Sequence, residues 1–372
     1  ARFEAMSNTS LTPDFVRTLP KVSLHDHLDG SLRPISVLEL AKQQGYEGLP
    51  ESDPDALGEW FRRGANRGSL AEYLEGFAHT IAVMQTTEAL ERVAYEYIED
   101  MHADGIVYAE VRFAPHFHTE GGLGLDSVME AVIKGLERGR AEHKVEFGVI
   151  VCALRNQPAE LSLSLAELAV AWFGRGVCGF DLAGEEAGHP PKHHLDAFQY
   201  IKRHNGSITI HAGEGFGPES IWQALQFCGT HRIGHGTRLV EDIAVYEGKV
   251  IRLGSLASYV LDHRVPLEIC LSSNVQTGAT PSMQEHPFPT FLGLGMRVTL
   301  NTDNRLMSGV TLTDEYMLAH KEFGLGLQAM ERVTVNGINA AFFRYKDRDR
   351  VLKDVILPGY AAAREELGIA PY

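Results

Sequence analysis

Residues 21–30 read Lys21-Val22-Ser23-Leu24-His25-Asp26-His27-Leu28-Asp29-Gly30, and whether this stretch is strand or helix determines what its two histidines can do together. Side chains at i and i+2 of a β-strand share a face about 7 Å apart, whereas on a helix they diverge. His25 and His27 therefore converge on one ion only if the segment is extended, and Lys21-Val22-Ser23-Leu24 reads as a strand. Far along the chain, Thr299-Leu300-Asn301-Thr302-Asp303 supplies a carboxylate at the end of another short apolar run. Two imidazoles and a distant carboxylate suit zinc, with further ligands expected elsewhere.

Working outward, β-branched and apolar runs recur, each followed by a segment of helical period. They are Val22–Leu28, Ile106–Phe113, Phe147–Leu154, Val177–Ala183, Ile208–His211, Arg232–His235, Leu267–Ser272 and Val298–Asn301. Eight strands alternating with helices predict an α/β fold, a (β/α)8 TIM barrel. A doubly wound sheet would show a glycine fingerprint after a strand, but Gly293-Leu294-Gly295 precedes one, and no phosphate-binding G-x-x-x-x-G-K-[ST] occurs. Residues 29–105 are too many for one βα unit. Leu70, Tyr73, Leu74 and Phe77 there share a helix face, predicting an inserted helical segment between strands 1 and 2 over the C-terminal mouth of the barrel. An ordinary core-facing stripe would have the same spacing. No internal repeat or low-complexity linker appears, so residues 11–372 read as one domain, with 1–10 as a tail or cloning remnant.

Composition bounds the function. With 372 residues, 44% of them hydrophobic, the chain is globular, and its net charge of −15 argues against nucleic-acid and anionic-membrane partners. No apolar leader or spanning stretch is evident, which predicts a cytoplasmic protein. Cys152, Cys178, Cys228 and Cys270 form no C-x-x-C pair and sit in apolar surroundings, so they read as buried free thiols. The metal site is then built from nitrogen and oxygen. The cytidine-type zinc deaminases, with H-x-E and P-C-x-x-C, are excluded.

Barrel enzymes carry their chemistry at the C-terminal strand ends. His25, His27 and Asp29 end strand 1, Gly184 follows strand 4, and His211 ends strand 5 with Glu214 just beyond. His235 ends strand 6, and Asp303 with Asn304 ends strand 8. A lone histidine is more often a satisfied packing residue, and a loop glutamate is usually solvated. Metal-competent groups at so many ends of one barrel are hard to explain as packing. His116/His118 and His193/His194 lie in Pro/Gly-flanked loops without a carboxylate at matching depth, and read as solvated.

The motifs His25-Asp26-His27-Leu28-Asp29-Gly30-Ser31, Asp181-Leu182-Ala183-Gly184-Glu185-Glu186, His211-Ala212-Gly213-Glu214, Arg232-Ile233-Gly234-His235-Gly236 and Asn301-Thr302-Asp303 resemble, in order, those of adenosine deaminases. Val107-Tyr108-Ala109-Glu110-Val111-Arg112-Phe113 is also similar to that family's second strand, and the resemblance runs from Leu19 to Ser308. It implies one zinc per chain held by His25, His27, His211 and Asp303, and a purine nucleoside as small-molecule substrate. Zinc hydroxide would attack purine C6 while Glu214 protonates N1 and His235 orients the hydroxide and assists its deprotonation. His27, Asp29, Gly184 and Asn304 would bind substrate, with Asp29 on the ribose 5′-hydroxyl and Gly184 and Asn304 on the purine ring nitrogens. Leu70, Tyr73, Leu74 and Phe77 align with a hydrophobic gate. The products would be inosine and ammonia from adenosine, and correspondingly from 2′-deoxyadenosine.

One departure is Asn304, where most of the family has a second aspartate. An Asn amide donates to purine N7 directly, whereas a carboxyl must first be protonated. Alternatives are a 5′-modified adenosine such as aminodeoxyfutalosine, or adenine, whose deaminases carry glutamate where this chain has Asp29. AMP is disfavoured because Asp29 would repel phosphate and no basic cluster accompanies it. A binuclear hydrolase would need a bridging lysine after strand 4, which is missing, and a non-catalytic nucleoside-binding barrel would have no need of Glu214 and His235. Oligomeric state is left open.

Overall fold

The computed structural model describes residues 11–371, so the tail assigned to residues 1–10 lies outside the described residues. Eight parallel strands form the barrel: β1 (Lys21–His27), β2 (Ile106–Phe113), β3 (Glu146–Leu154), β4 (Val177–Ala183), β5 (Ile208–Ala212), β6 (Arg232–His235), β9 (Leu267–Ile269) and β10 (Val298–Leu300). Their spatial order follows the chain. Helices cover the outside, so the strands are buried on both faces and read as nearly continuous apolar runs. Val22, Leu24, Tyr108, Val111, Val149, Ile210 and Ile233 are all buried. Each such side chain contributes roughly 1.5–3 kcal/mol of burial free energy.

The ring closes between β10 and β1 without a regular ladder. Leu24 N donates to Asn301 Oδ1 at 2.8 Å, His27 N to the Asp303 carbonyl at 2.7 Å, and Asp303 N to the His25 carbonyl at 2.9 Å. This seam sets residues 24–27 and 301–303 side by side.

One strand expectation needs correction, and one hairpin lies outside the expected set. The run Leu267–Ser272 leaves the sheet after Ile269, and Leu271–Gln276 is a helix, because the chain turns once Ile269 is paired with β10. An antiparallel hairpin of β7 (Ile243–Tyr246) and β8 (Lys249–Leu253) was not anticipated. Its signal was Glu247-Gly248, both at positive φ as a tight two-residue hairpin turn requires.

The inserted segment between β1 and β2 is helical, as expected. It contains Pro34–Gln44 and Pro54–Ala65, then the short helices Leu70–Tyr73 and Phe77–Ala82, before Thr87–Ala103 leads into β2. Asp53 caps the second of these by accepting from Ala56 N, and Pro54 at its first turn needs no hydrogen-bond partner. No described helix is long and apolar enough to cross a membrane.

Candidate active site

The C-terminal rim of the barrel gathers the imidazoles and carboxylate expected there. His25 Nε2 lies 3.2 Å from Asp303 Oδ1, His27 Nε2 lies 3.3 Å from the same oxygen, and His27 Nε2 is 3.2 Å from His211 Nε2. Four ligands about 2.0–2.1 Å from a tetrahedral ion are separated by about 3.3 Å, so these spacings match the edges of such a cage. His25 Nε2 is buried without a hydrogen bond of acceptable geometry despite the nearby Asp303 oxygen, as an atom facing a metal would be. His25, His211, His235 and Asp303 also present ligand atoms all within 4.8 Å of one another. The donor set therefore fits a divalent metal, and His235 stands at its edge.

Buried charges aim these rings. His25 Nδ1 bonds Glu268 Oε2 at 2.8 Å and His211 Nδ1 lies 3.0 Å from Asp181 Oδ2, which turns each Nε2 toward the cage. Arg112 spans both carboxylates, at 3.1 Å from Asp181 and 3.0 Å from Glu268. Arg232 reaches Glu268 and Glu110, each at 2.6 Å. Three carboxylates against two guanidiniums leave one negative charge under the cage, and Asp303 adds a second. Burial works against ionisation of Glu268, but Arg112 and Arg232 outweigh it and hold the carboxyl well below its usual range. A cation above this floor is electrostatically favoured.

His235 and Asp303 have φ of +65° and +63°, in the left-handed region that side chains rarely adopt. Such strain, of order 1–3 kcal/mol, concentrates at functional positions. Asp303 is further fixed by Ser273 Oγ, which donates to Oδ2 at 2.6 Å.

Glu214 faces His235, with Oε2 3.4 Å from Nε2. Its loop is clamped by Glu186, whose carboxylate accepts from the backbone N–H groups of Gly213, Glu214 and Gly215 at 2.7, 3.0 and 2.9 Å. Burial, then the negative charges of Asp303 and Glu186, push the Glu214 carboxyl well above its ordinary range. A carboxyl that holds its proton more tightly than usual is suited to act as a general acid.

Beside these groups lies a cavity of about 460 Å³. Its walls include His27, Asp29, Gly184, His211, Glu214, His235, Asp303 and Asn304, together with Leu70, Tyr73, Leu74 and Phe77 of the insertion. Leu70 also packs on the Glu214 loop, where a Cβ on Gly215 would come within 3.2 Å of Leu70 Cδ2. Gly30 is required for a different reason: a Cβ there would fall 1.9 Å from Asn304 Oδ1.

Of the histidines read as solvated, His193 is exposed as expected, whereas His116, His118 and His194 need correction. His118 is fully buried, with Nε2 3.6 Å from Asp29 Oδ2 and Nδ1 3.1 Å from the Met84 carbonyl, so a carboxylate does stand at matching depth. Both ring nitrogens of His116 are buried without hydrogen bonds. His194 is also buried, between Ser162 Oγ at 2.8 Å and the Arg155 carbonyl at 3.1 Å, and does not line the cavity. The tight turns after β2 and before the helix Leu195–Arg203 fold these rings inward, which flanking Pro and Gly alone do not reveal. Cys152, Cys178, Cys228 and Cys270 are free, all but Cys178 buried.

The adenosine deaminase family model matches residues 20–358. The chain belongs to the adenosine deaminase family. It is 51% identical over 367 residues to adenosine deaminase 1 of Streptomyces coelicolor, covering 97% of this chain and 92% of that one. It is 52% identical over 347 residues to the adenosine deaminase of Mycobacteroides abscessus, covering 92% and 95%. Among solved structures, adenine deaminase from Arthrobacter aurescens superposes with a TM-score of 0.82 at 25% identity, covering 92% and 98%. As an adenosine deaminase family member the chain is a metal-dependent hydrolase with an amidohydrolase-type barrel. Sequence reasoning missed Glu186, Glu268, Asp181, Arg112 and Ser273 as supports of this family's site. A signal existed for three of them, since Asp181, Arg112 and Glu268 are charges inside otherwise apolar strands.

Proposed function

We propose that this chain hydrolyses adenosine and 2′-deoxyadenosine, adding water at purine C6 and releasing ammonia to leave inosine or 2′-deoxyinosine. The observation that carries the reading is a buried Glu214, its carboxyl pushed up, beside a three-histidine, one-aspartate cage at the floor of a 460 Å³ cavity. His25, His27, His211 and Asp303 would hold one zinc ion, which supplies an oxygen nucleophile at neutral pH.

The protein's own groups do the rest. Protonated Glu214 donates to N1, which draws electrons from C6 and makes that carbon electrophilic. His235 lies beside Glu214 and orients the attacking oxygen. Gly184, through its backbone, and Asn304, through its amide, hold the ring nitrogens. Asp29, which also lines the cavity, takes the ribose 5′-hydroxyl. Leu70, Tyr73, Leu74 and Phe77 cover the bound purine and exclude water. No lysine or arginine lines the cavity among the described residues, which favours a nucleoside over its 5′-phosphate. Names of relatives near 50% identity point to the same substrate.

The test is ammonia release from adenosine, 2′-deoxyadenosine, adenine, AMP and 5′-modified adenosines, with metal content measured on the same protein. Adenosine and 2′-deoxyadenosine should give the highest kcat/KM at one zinc per chain. Turnover of adenine or a 5′-modified compound with adenosine inert would overturn the reading.

A further inference from the structure

The hydrogen bonds around His235 form a chain whose first donor has no choice of role. The backbone N–H of Phe288 donates to His286 Nδ1 at 3.1 Å. An amide N–H cannot accept, so Nδ1 must, and a neutral His286 carries its proton on Nε2. Burial keeps that ring neutral by pushing its pKa down to about 3. His286 Nε2 then donates to Asn274 Oδ1 at 3.2 Å, and Thr237 Oγ1 donates to the same oxygen at 3.0 Å. The His286 Nε2–H cannot accept, so it fixes which end of the Asn274 amide is oxygen, a choice that shape alone leaves open, and the Thr237 hydroxyl is free to donate in the same sense. Asn274 Nδ2 consequently points at His235 Nδ1, 2.9 Å away.

We propose that Asn274 and His286 are positioning residues that lock His235 in the tautomer with its proton on Nε2. His235 thereby donates a hydrogen bond to the attacking oxygen and does not remove its proton. Any proton on Nδ1, in the other tautomer or in the imidazolium, would set two N–H groups head to head. Asn274, His286, Thr237 and His235 are all buried, so water does not relieve that conflict. The Nε2–H faces Glu214 across 3.4 Å. The inference rests on the deaminase reading for its chemical consequence and replaces the deprotonating role that the family resemblance implied for His235. The tautomer itself follows from the hydrogen bonds alone.

Protein labelled with 15N-histidine, freed of metal, gives the direct test through long-range 1H–15N spectra. His235 and His286 should each show a protonated Nε2 and an unprotonated, acceptor-type Nδ1. A proton on His235 Nδ1 in the wild-type protein overturns the proposal whatever the variants do. Asn274→Asp offers only acceptors to Nδ1 and should draw the proton there. Its kcat on adenosine should fall by roughly 100-fold or more, the scale of losing one oriented donor. KM and zinc content should stay within about twofold, the mark of an interaction made in the transition state. His286→Phe should lose less, and His286→Gln, which keeps a donor for Asn274, should recover most of the activity. Turnover unchanged in Asn274→Asp, or parallel loss of KM, zinc and folding in all three variants, would sink the positioning role. A wild-type protein inactive on adenosine but with the expected spectrum would instead condemn the substrate assignment and leave the tautomer standing.

Discussion

The floor of the site and its cover are built on opposite terms. Beneath the cage, Arg112, Arg232, Glu110, Asp181 and Glu268 are fully or almost fully buried and pair with one another. Above it, Leu70, Leu74 and Phe77 are half-buried, and the helices Leu70–Tyr73 and Phe77–Ala82 are short and lack a side-chain cap. Isolated helices of that length are unstable without tertiary support. Tyr73 supplies one anchor, its hydroxyl 3.0 Å from Ser308 Oγ. Ligand geometry demands a floor that does not move, whereas substrate entry needs a cover that shifts at low cost. The difference separates chemistry from access.

The sharpest way to challenge that division is at Glu214, on the chemical side. Glu214→Gln should retain zinc by elemental analysis while kcat drops roughly 10²–10⁴-fold, since Gln cannot donate a proton. In the wild-type protein, turnover should decline as pH rises past the elevated Glu214 pKa, because deprotonation removes the general acid. A fully active variant would remove Glu214 from the mechanism. Next comes the floor itself. Glu268→Gln leaves Arg112 and Arg232 short of a buried partner and should lower unfolding free energy by about 3–5 kcal/mol in urea titrations. Retained stability would show that the floor is not held by its charges. The smallest effect belongs to the cover, where Leu70→Ala should raise KM about 3- to 10-fold, the loss expected from part of one apolar contact. Its kcat and melting temperature should hardly change, and a stability loss rivalling that of Glu268→Gln would erase the contrast.

The same contrast explains what could be read from the chain. Strands such as Val177–Ala183 announced themselves because burial on both faces leaves a local apolar signature. The hairpin Ile243–Leu253 carries no such signature, since Tyr246 and Ile251 are each 65% exposed, and only its Glu247-Gly248 turn betrayed it. In the site, His25, His27, His211 and Asp303 were legible because strand ends and i, i+2 spacing are properties of short segments. Glu186, His118 and the pair Asn274 and His286 were not. Each acts across a fold contact, Glu186 on the loop at 213–215 and His118 on Asp29, so no local pattern encodes the partner. Asn274 lies two residues beyond a run, Leu267–Ser272, read as strand three residues too far, and that error hid the helix that carries it.

Gly30 sits next to Asp29 and leaves no room between its own backbone and the Asn304 amide. The Asp29 and Asn304 sides of the cavity are consequently geared together at one point of the main chain. A redesign that adds bulk at position 30 to reshape the Asp29 side would also displace the Asn304 amide. Altered selectivity in this scaffold would then come through paired substitutions at 30 and 304, with single changes at either position acting on both sides at once.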